Sequence, residues 1–237
     1  LRVKEFLAVR GIAFESVNVL EDGGLDKLRA VGARSVPVVA RAGEFVFAQV
    51  IKDVVEFLEL DENTGPALSP AALAARYDQV LTAAVASVRQ MPDSALGNML
   101  PNRPRSWRVL MHHMFQIPTE FLDSLGQGRP LAYENLVAAP PKDMTTSAEI
   151  ADFGEALHGR FNTWWQDSGS GLEYSAPYEA YFGTTTLHEM FERTVWHSTQ
   201  HVRQVQSLLE REGIAPAMPL GLQVIEGLPL TEKVWDE

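Results

Sequence analysis

The chain has 237 residues, 46% hydrophobic and 22% charged, an ordinary globular balance, and with no cysteine it excludes a disulfide framework, a thiolate metal site and a cysteine nucleophile within these residues. Its net charge of −11, about −3 over residues 1–65 and −8 over the rest, repels a phosphate backbone, and no Lys/Arg stripe concentrates to overcome that. No apolar run approaches the roughly 20 residues that span a bilayer, and the opening LRVKEFLAVRG is too charged for a signal peptide, so a cytoplasmic protein is expected.

In chain order, residues 1–10 read as the end of a helix closed by Gly11. Residues 13–19 (AFESVNV) alternate apolar and polar, which predicts a half-buried strand. Gly23-Gly24 breaks the chain, and residues 25–31 form a short helix ending near Gly32. Residues 36–40 and 44–47 flank Ala42-Gly43 as the arms of a tight hairpin. Residues 51–60 make a last amphipathic helix. The order is that of an α/β unit lacking its opening strand.

The run LRVKEFLAVRGIAFESVNV resembles the part of a glutaredoxin that follows its redox motif. Ser35-Val36-Pro37 stands where that family has its cis-proline loop. The resemblance covers about residues 1–60 and implies that the first strand and redox cysteines lie before Leu1. It also makes Ser35, Val36 and Pro37 candidates for a thiol-peptide site, against the plainer reading that Pro37 shapes a strand entry. The family's Gly-Gly turn reads Ala48-Gln49-Val50 here.

Residues 61–66 are polar and turn-rich, as a linker is. Beyond them the period is helical. Ser69-Pro70 is an N-cap followed by proline at the first helical position, and residues 71–90 place Leu73, Tyr77, Val80, Leu81, Ala84 and Val88 on one face. Residues 104–126, 147–168 and 185–212 supply three more helices, the third opened by Ser147 near Glu149 and the fourth closed by Gly213. Four such helices predict an up-and-down bundle. Residues 214–237 are Pro-rich and are expected to lie extended against it. The expected organisation is thus α+β in two domains, residues 1–62 and 67–213, with a tail at 214–237.

All six histidines fall on the last three predicted bundle helices, with His158 on the third and without a paired partner. His197 and His201 are four apart, so their side chains leave one helix face a turn apart and can reach a common ion. Alone, an HxxxH pair is a weak signal. His113 sits among Leu110, Met114, Ile117 and Phe121, whereas His112 is turned about 100° away beside Arg105, Arg108 and Gln116. A buried imidazole needs partners for both nitrogens, and a metal with an outer hydrogen bond meets that need as well as an ordinary core contact does. Pro118 removes one backbone bond and is expected to kink the helix. His188 falls on another face of the last helix; Trp107, Trp164, Trp165 and Trp196 read as core; Glu189, Glu192 and Arg193 read as a solvated face.

RSWRVLMHHM at 105–114 and WHSTQHVRQV at 196–205 resemble the second- and last-helix signatures of the DinB/YfiT-like superfamily. That resemblance covers about residues 68–212. It implies a four-helix bundle with a divalent metal held by His113, His197 and His201, and it departs from many members at Gln200, where they carry another histidine. Zinc, nickel and iron all suit three imidazoles.

Three imidazoles leave open positions on the ion, as a catalytic site does. Two enzymatic readings follow: hydrolysis by a metal-activated water, or transfer or isomerisation by a metal-activated low-molecular-weight thiol, as in thiol transferases and isomerases of that superfamily. The glutaredoxin-like neighbour favours thiol chemistry by association. The competing reading is a metal that only staples the bundle beside a vestigial docking module. A small-molecule substrate is the expected partner, and a homodimer is admitted.

Overall fold

The computed structural model describes residues 2–62, 64–100 and 103–235. The chain is mixed α+β, largely helical with two small antiparallel sheets, and divides into two compact units, the first ending at Gly65 and the second running from Pro66 to Trp235.

In the first unit, α1 (Arg2–Val9) ends at Gly11, whose positive φ of 67° lets Gly11 and Ile12 donate back to Ala8 and Leu7. α2 (Gly24–Ala30) follows. β1 (Val38–Arg41) pairs with β2 (Glu44–Phe47) through Ala42 and Gly43, both at positive φ, the two-residue turn whose twist matches a hairpin. α3 (Ile51–Phe57) buries Ile51, Val54 and Val55, and Leu7, Ala48 and Val54 form a small core. The peptide bond between Val36 and Pro37 is cis.

The strand expected at 13–19 is absent: these residues make no ladder, and Phe14 and Val17 are 43% and 41% exposed. Alternation yields a strand only where a partner supplies backbone bonds and one face is covered, and neither occurs among the described residues.

The second unit holds four helices of 21 to 25 residues: α4 (Pro70–Gln90), α5 (Trp107–Gln127), α7 (Ser147–Asp167) and α8 (Leu187–Arg211). Ser69, Ser106, Thr146 and Thr186 cap them, each accepting a backbone N–H of the first turn. Thr146, not Ser147, closes a capping box with Glu149; Ser147 instead bonds Asp93. α4 packs on α7 and α8, and α5 packs on both as well. Their apolar faces share one core built on Tyr77, Phe115, Phe121, Phe161 and Phe191. Gly154 of α7 lets the Phe115 ring approach so closely that a Cβ would collide with it.

Two features between the long helices have no counterpart in the sequence expectations. A single-turn helix, α6 (Tyr133–Leu136), follows α5, and a hairpin of β3 (Pro177–Ala180) and β4 (Gly183–Thr186) precedes α8. The tail holds the short α9 (Leu222–Ile225) and sends Leu220, Val224, Leu228 and Trp235 into the same core. Among the described residues, no helix is long and apolar enough to cross a membrane.

Candidate metal centre

His113 projects from α5, and His197 and His201 project one turn apart from α8, which packs against it. One ring nitrogen from each lies within 4.8 Å of the others, a cluster able to hold a metal ion. The ring centroids are 4.9 to 5.6 Å apart. An ion about 2.1 Å from each nitrogen spaces them ~3.4 Å apart in a tetrahedral arrangement, within the 4.8 Å limit inside which the three nitrogens lie.

The outer nitrogens aim the inner ones. His113 Nδ1 lies 2.8 Å from the Leu136 carbonyl, which only accepts, so Nδ1 carries the proton and Nε2 keeps its lone pair. His201 Nδ1 lies 2.8 Å from Gln204 Oε1, and the Gln204 amide in turn donates to the Val234 carbonyl at 3.1 Å. That orientation protonates His201 Nδ1 and leaves Nε2 free. His201 is 9% exposed, and its Nε2 is buried without a hydrogen-bond partner. A buried acceptor left unmatched is unfavourable by about 1–3 kcal/mol, and a bound cation would satisfy it. The residues present therefore fit a divalent ion.

Burial disfavours charge on all three rings. His113 is pushed down to about 2, by burial first and then by His201 and Arg105. His201 is pushed down to about 4 by burial, against the opposing Gln204 bond. His197 falls well below the ordinary range, again mainly through burial. Neutral imidazoles at pH 7 are the form a metal requires.

The chain segments behind the three histidines are tied in turn. Glu120, 1% exposed, takes two bonds from Arg129 and one from the Ala132 N–H. Burial would raise its pKa, but these bonds outweigh it and keep the carboxylate charged. They hold the loop into α6, and Gln116 adds a bond to the Asn135 carbonyl, so α6 presents Leu136 to His113. On α8, Gln200 donates to the Val234 carbonyl at 2.8 Å, fastening the tail behind His201.

α5 continues through Pro118. The proline withholds the N–H that the Met114 carbonyl would receive, and Ser198 Oγ of α8 donates there instead at 3.2 Å. Ser198 also meets the Tyr77 hydroxyl at 2.9 Å. The carbonyl freed by Pro118 is thus spent on joining the two helices that carry the three histidines.

The other histidines stay apart from this cluster. His112 is buried and stacks on Phe153, His188 bonds the Leu68 carbonyl, and His158 pairs with Asp78 at 2.6 Å, contrary to its expected lack of a partner. The solvated face expected at 189–193 is also wrong: Glu192 is 7% exposed, Glu189 closes the α8 capping box, and the Arg193 guanidinium lies over Phe182 and near Trp196. Through Phe182 and Thr185, Arg193 and Glu189 meet the hairpin β3–β4, which their own helical spacing could not announce. Trp107 is core, as expected, while Trp164, Trp165 and Trp196 pack partly buried at its edge. In the first unit, Ser35, Val36 and Pro37 are exposed.

The positioning residues Glu120, Gln204, Ser198 and Leu136 were not among the sequence candidates. Gln204 alone carried a sequence signal, three residues beyond His201 on the same helix face. No protein-family model matches the chain, and a search of curated proteins finds no match.

Proposed function

We propose that the second unit is a four-helix bundle of the DinB-like kind with a divalent metal on His113, His197 and His201. On this reading it serves a thiol-dependent transfer or isomerisation, with metal-assisted hydrolysis as the runner-up chemistry. The observation that carries the proposal is the convergence of three neutral imidazole nitrogens from two packed helices, one of them buried and unpartnered. The glutaredoxin-like sequence of the first unit supports the thiol branch by association only.

A divalent ion bound there would supply a Lewis acid that lowers the pKa of a coordinated water or thiol. The chain's own contribution is to aim the ligands. Leu136 and Gln204 fix which nitrogen of His113 and His201 faces inward, and the Ser198 bond to Met114 holds α5 against α8 beside the ligands. Such orienting contacts matter because an imidazole that rotates freely binds a metal less well.

The test pairs turnover with melting. Metal-loaded protein is assayed with mercaptoethanol and chlorodinitrobenzene for thiol transfer, and with nitrophenyl acetate for hydrolysis, before and after chelation. Turnover of the first pair that disappears on chelation while the melting temperature stays nearly constant supports the thiol reading. Ester turnover alone moves the assignment to hydrolysis. Loss of melting temperature with no turnover of either shows a metal that only staples the helices.

A further inference from the structure

Gln200, Gln204, Ser207 and Arg211 follow one another along α8 at four-, three- and four-residue spacing, with Arg203 beside Gln204, so helical pitch gathers them in one stripe. Residues 231–235 of the tail are bonded along that stripe. Arg203 donates to the Thr231 carbonyl at 2.6 Å and to the Glu232 carbonyl at 2.8 Å. Trp235 Nε1 donates to Ser207 Oγ at 3.1 Å, and the Arg211 guanidinium lies 5.3 Å from the centre of the Trp235 ring. Between these anchors the Val234 carbonyl accepts from Gln200 at 2.8 Å and from Gln204 at 3.1 Å, which uses both of its lone pairs.

Donor and acceptor roles run through this network in one direction. A guanidinium only donates, so the 2.9 Å contact from Arg203 turns the Gln200 oxygen toward it and the Gln200 NH2 toward Val234. A carbonyl only accepts, so Gln204 likewise turns its NH2 to the tail and its oxygen to His201 Nδ1. That oxygen requires the proton on Nδ1 and leaves the lone pair on the buried Nε2. With the tail lifted off, the Gln204 amide loses the acceptor that orients it. The reversed amide donates to Nδ1, and the ring proton moves to Nε2, where it occupies the position a metal needs.

We propose that residues 231–235 are a positioning strap for the histidine cluster. Anchored on α8 by Arg203 and Trp235, the strap sets the Gln204 amide through the Val234 carbonyl, and Gln204 sets the His201 tautomer able to bind a metal. The link to metal affinity rests on the metal reading above; the link to the tautomer does not. Strap docking and metal binding are then coupled, each favouring the other by the same factor.

The tautomer is read in metal-free protein at about pH 8, where imidazole is neutral, from long-range proton–nitrogen correlations of isotope-labelled histidine. Wild-type His201 should be Nδ1–H. The double variant R203M/W235A, folded by circular dichroism, removes both anchors, and strap release is read as faster trypsin cleavage after Lys233. Its His201 should be about half Nε2–H, with zinc affinity by chelator competition about two- to tenfold lower, a loss set by the competent fraction and the freed ring. Adding Q204E should restore Nδ1–H, because a carboxylate accepts with either oxygen and needs no strap. In the wild type, zinc should slow cleavage after Lys233, a readout that needs no variant. Cleavage of the double variant no faster than wild type overturns the anchoring. A released strap with His201 still Nδ1–H, or an Nε2–H share that persists with Q204E, overturns the relay. A shifted tautomer with unchanged zinc affinity, or zinc without effect on wild-type cleavage, overturns the coupling. Absence of zinc binding by the wild type overturns the metal reading and the coupling, while the tautomer still decides the strap.

Discussion

Removing the Ser198 hydroxyl should destabilise the protein in a manner that depends on Pro118. Ser198 is fully buried, accepts from the Tyr77 hydroxyl at 2.9 Å and donates to the Met114 carbonyl at 3.2 Å. Tyr77 is itself fully buried, and no other hydroxyl partner for it is recorded among the described residues. S198A therefore leaves two buried polar groups unmatched at about 1–3 kcal/mol each, or roughly 2–6 kcal/mol in all. In a P118A background the helix regains the N–H at position 118, and the Met114 carbonyl finds its ordinary partner. The S198A penalty should then shrink by about 1–3 kcal/mol, the share owed to that carbonyl. Urea unfolding of the four proteins of this cycle measures the coupling, with m unchanged so that midpoints report stability. A coupling energy below about 0.5 kcal/mol would refute the idea that Ser198 replaces the bond Pro118 withholds. Because Met114 and Ser198 adjoin His113 and His197, S198A should also weaken metal binding.

Three further outcomes follow from the site. Q204L removes the acceptor that holds His201 Nδ1 at 2.8 Å, and metal affinity measured by competition with a chelator should fall about 10- to 100-fold; an unchanged affinity would show that Gln204 does not orient the ring. E120Q weakens the Arg129 and Ala132 contacts that set α6, so it should lower metal affinity as well as stability, whereas a purely structural role would lower stability alone. Metal-free protein should lose stability in acid. Burial first, with nearby positive charge added for His113, holds His113 at about 2 and His201 at about 4, below the unfolded value of ~6.5, so the unfolded state takes up more protons. The stabilisation is complete above about pH 6.5 and fades toward the folded values, by roughly 2 kcal/mol for His201 between about pH 7.5 and 5. Urea midpoints over that range should fall more steeply in the wild type than in H201A, and equal slopes would contradict it.

Much of this was legible in residues whose signal is local. Ser69-Pro70 opened α4 at the right place because a cap and a first-turn proline act within four residues. Ala42-Gly43 announced the hairpin because both positions require positive φ. The four-residue spacing of His197 and His201 survives any packing, since it depends on helical pitch alone. What failed depended on distant partners. The alternation at 13–19 had no strand beside it to make it a ladder. Arg193 looked like a surface charge until the β3–β4 hairpin, itself unforeseen, placed aromatic rings beside it, and Glu192 proved buried. His158 could not reveal Asp78, which is 80 residues away in the chain. Leu136 and Glu120 were invisible as site residues because one contributes a backbone carbonyl and the other acts through Arg129 and a loop.

The most direct test is metal content. Purified protein, dialysed against excess zinc and then metal-free buffer, should retain close to one equivalent by elemental analysis. H113A, H197A and H201A, each folded by circular dichroism, should each retain far less. Wild-type protein without bound metal, or an H113A variant that holds as much as the wild type, would contradict a centre built from these three histidines.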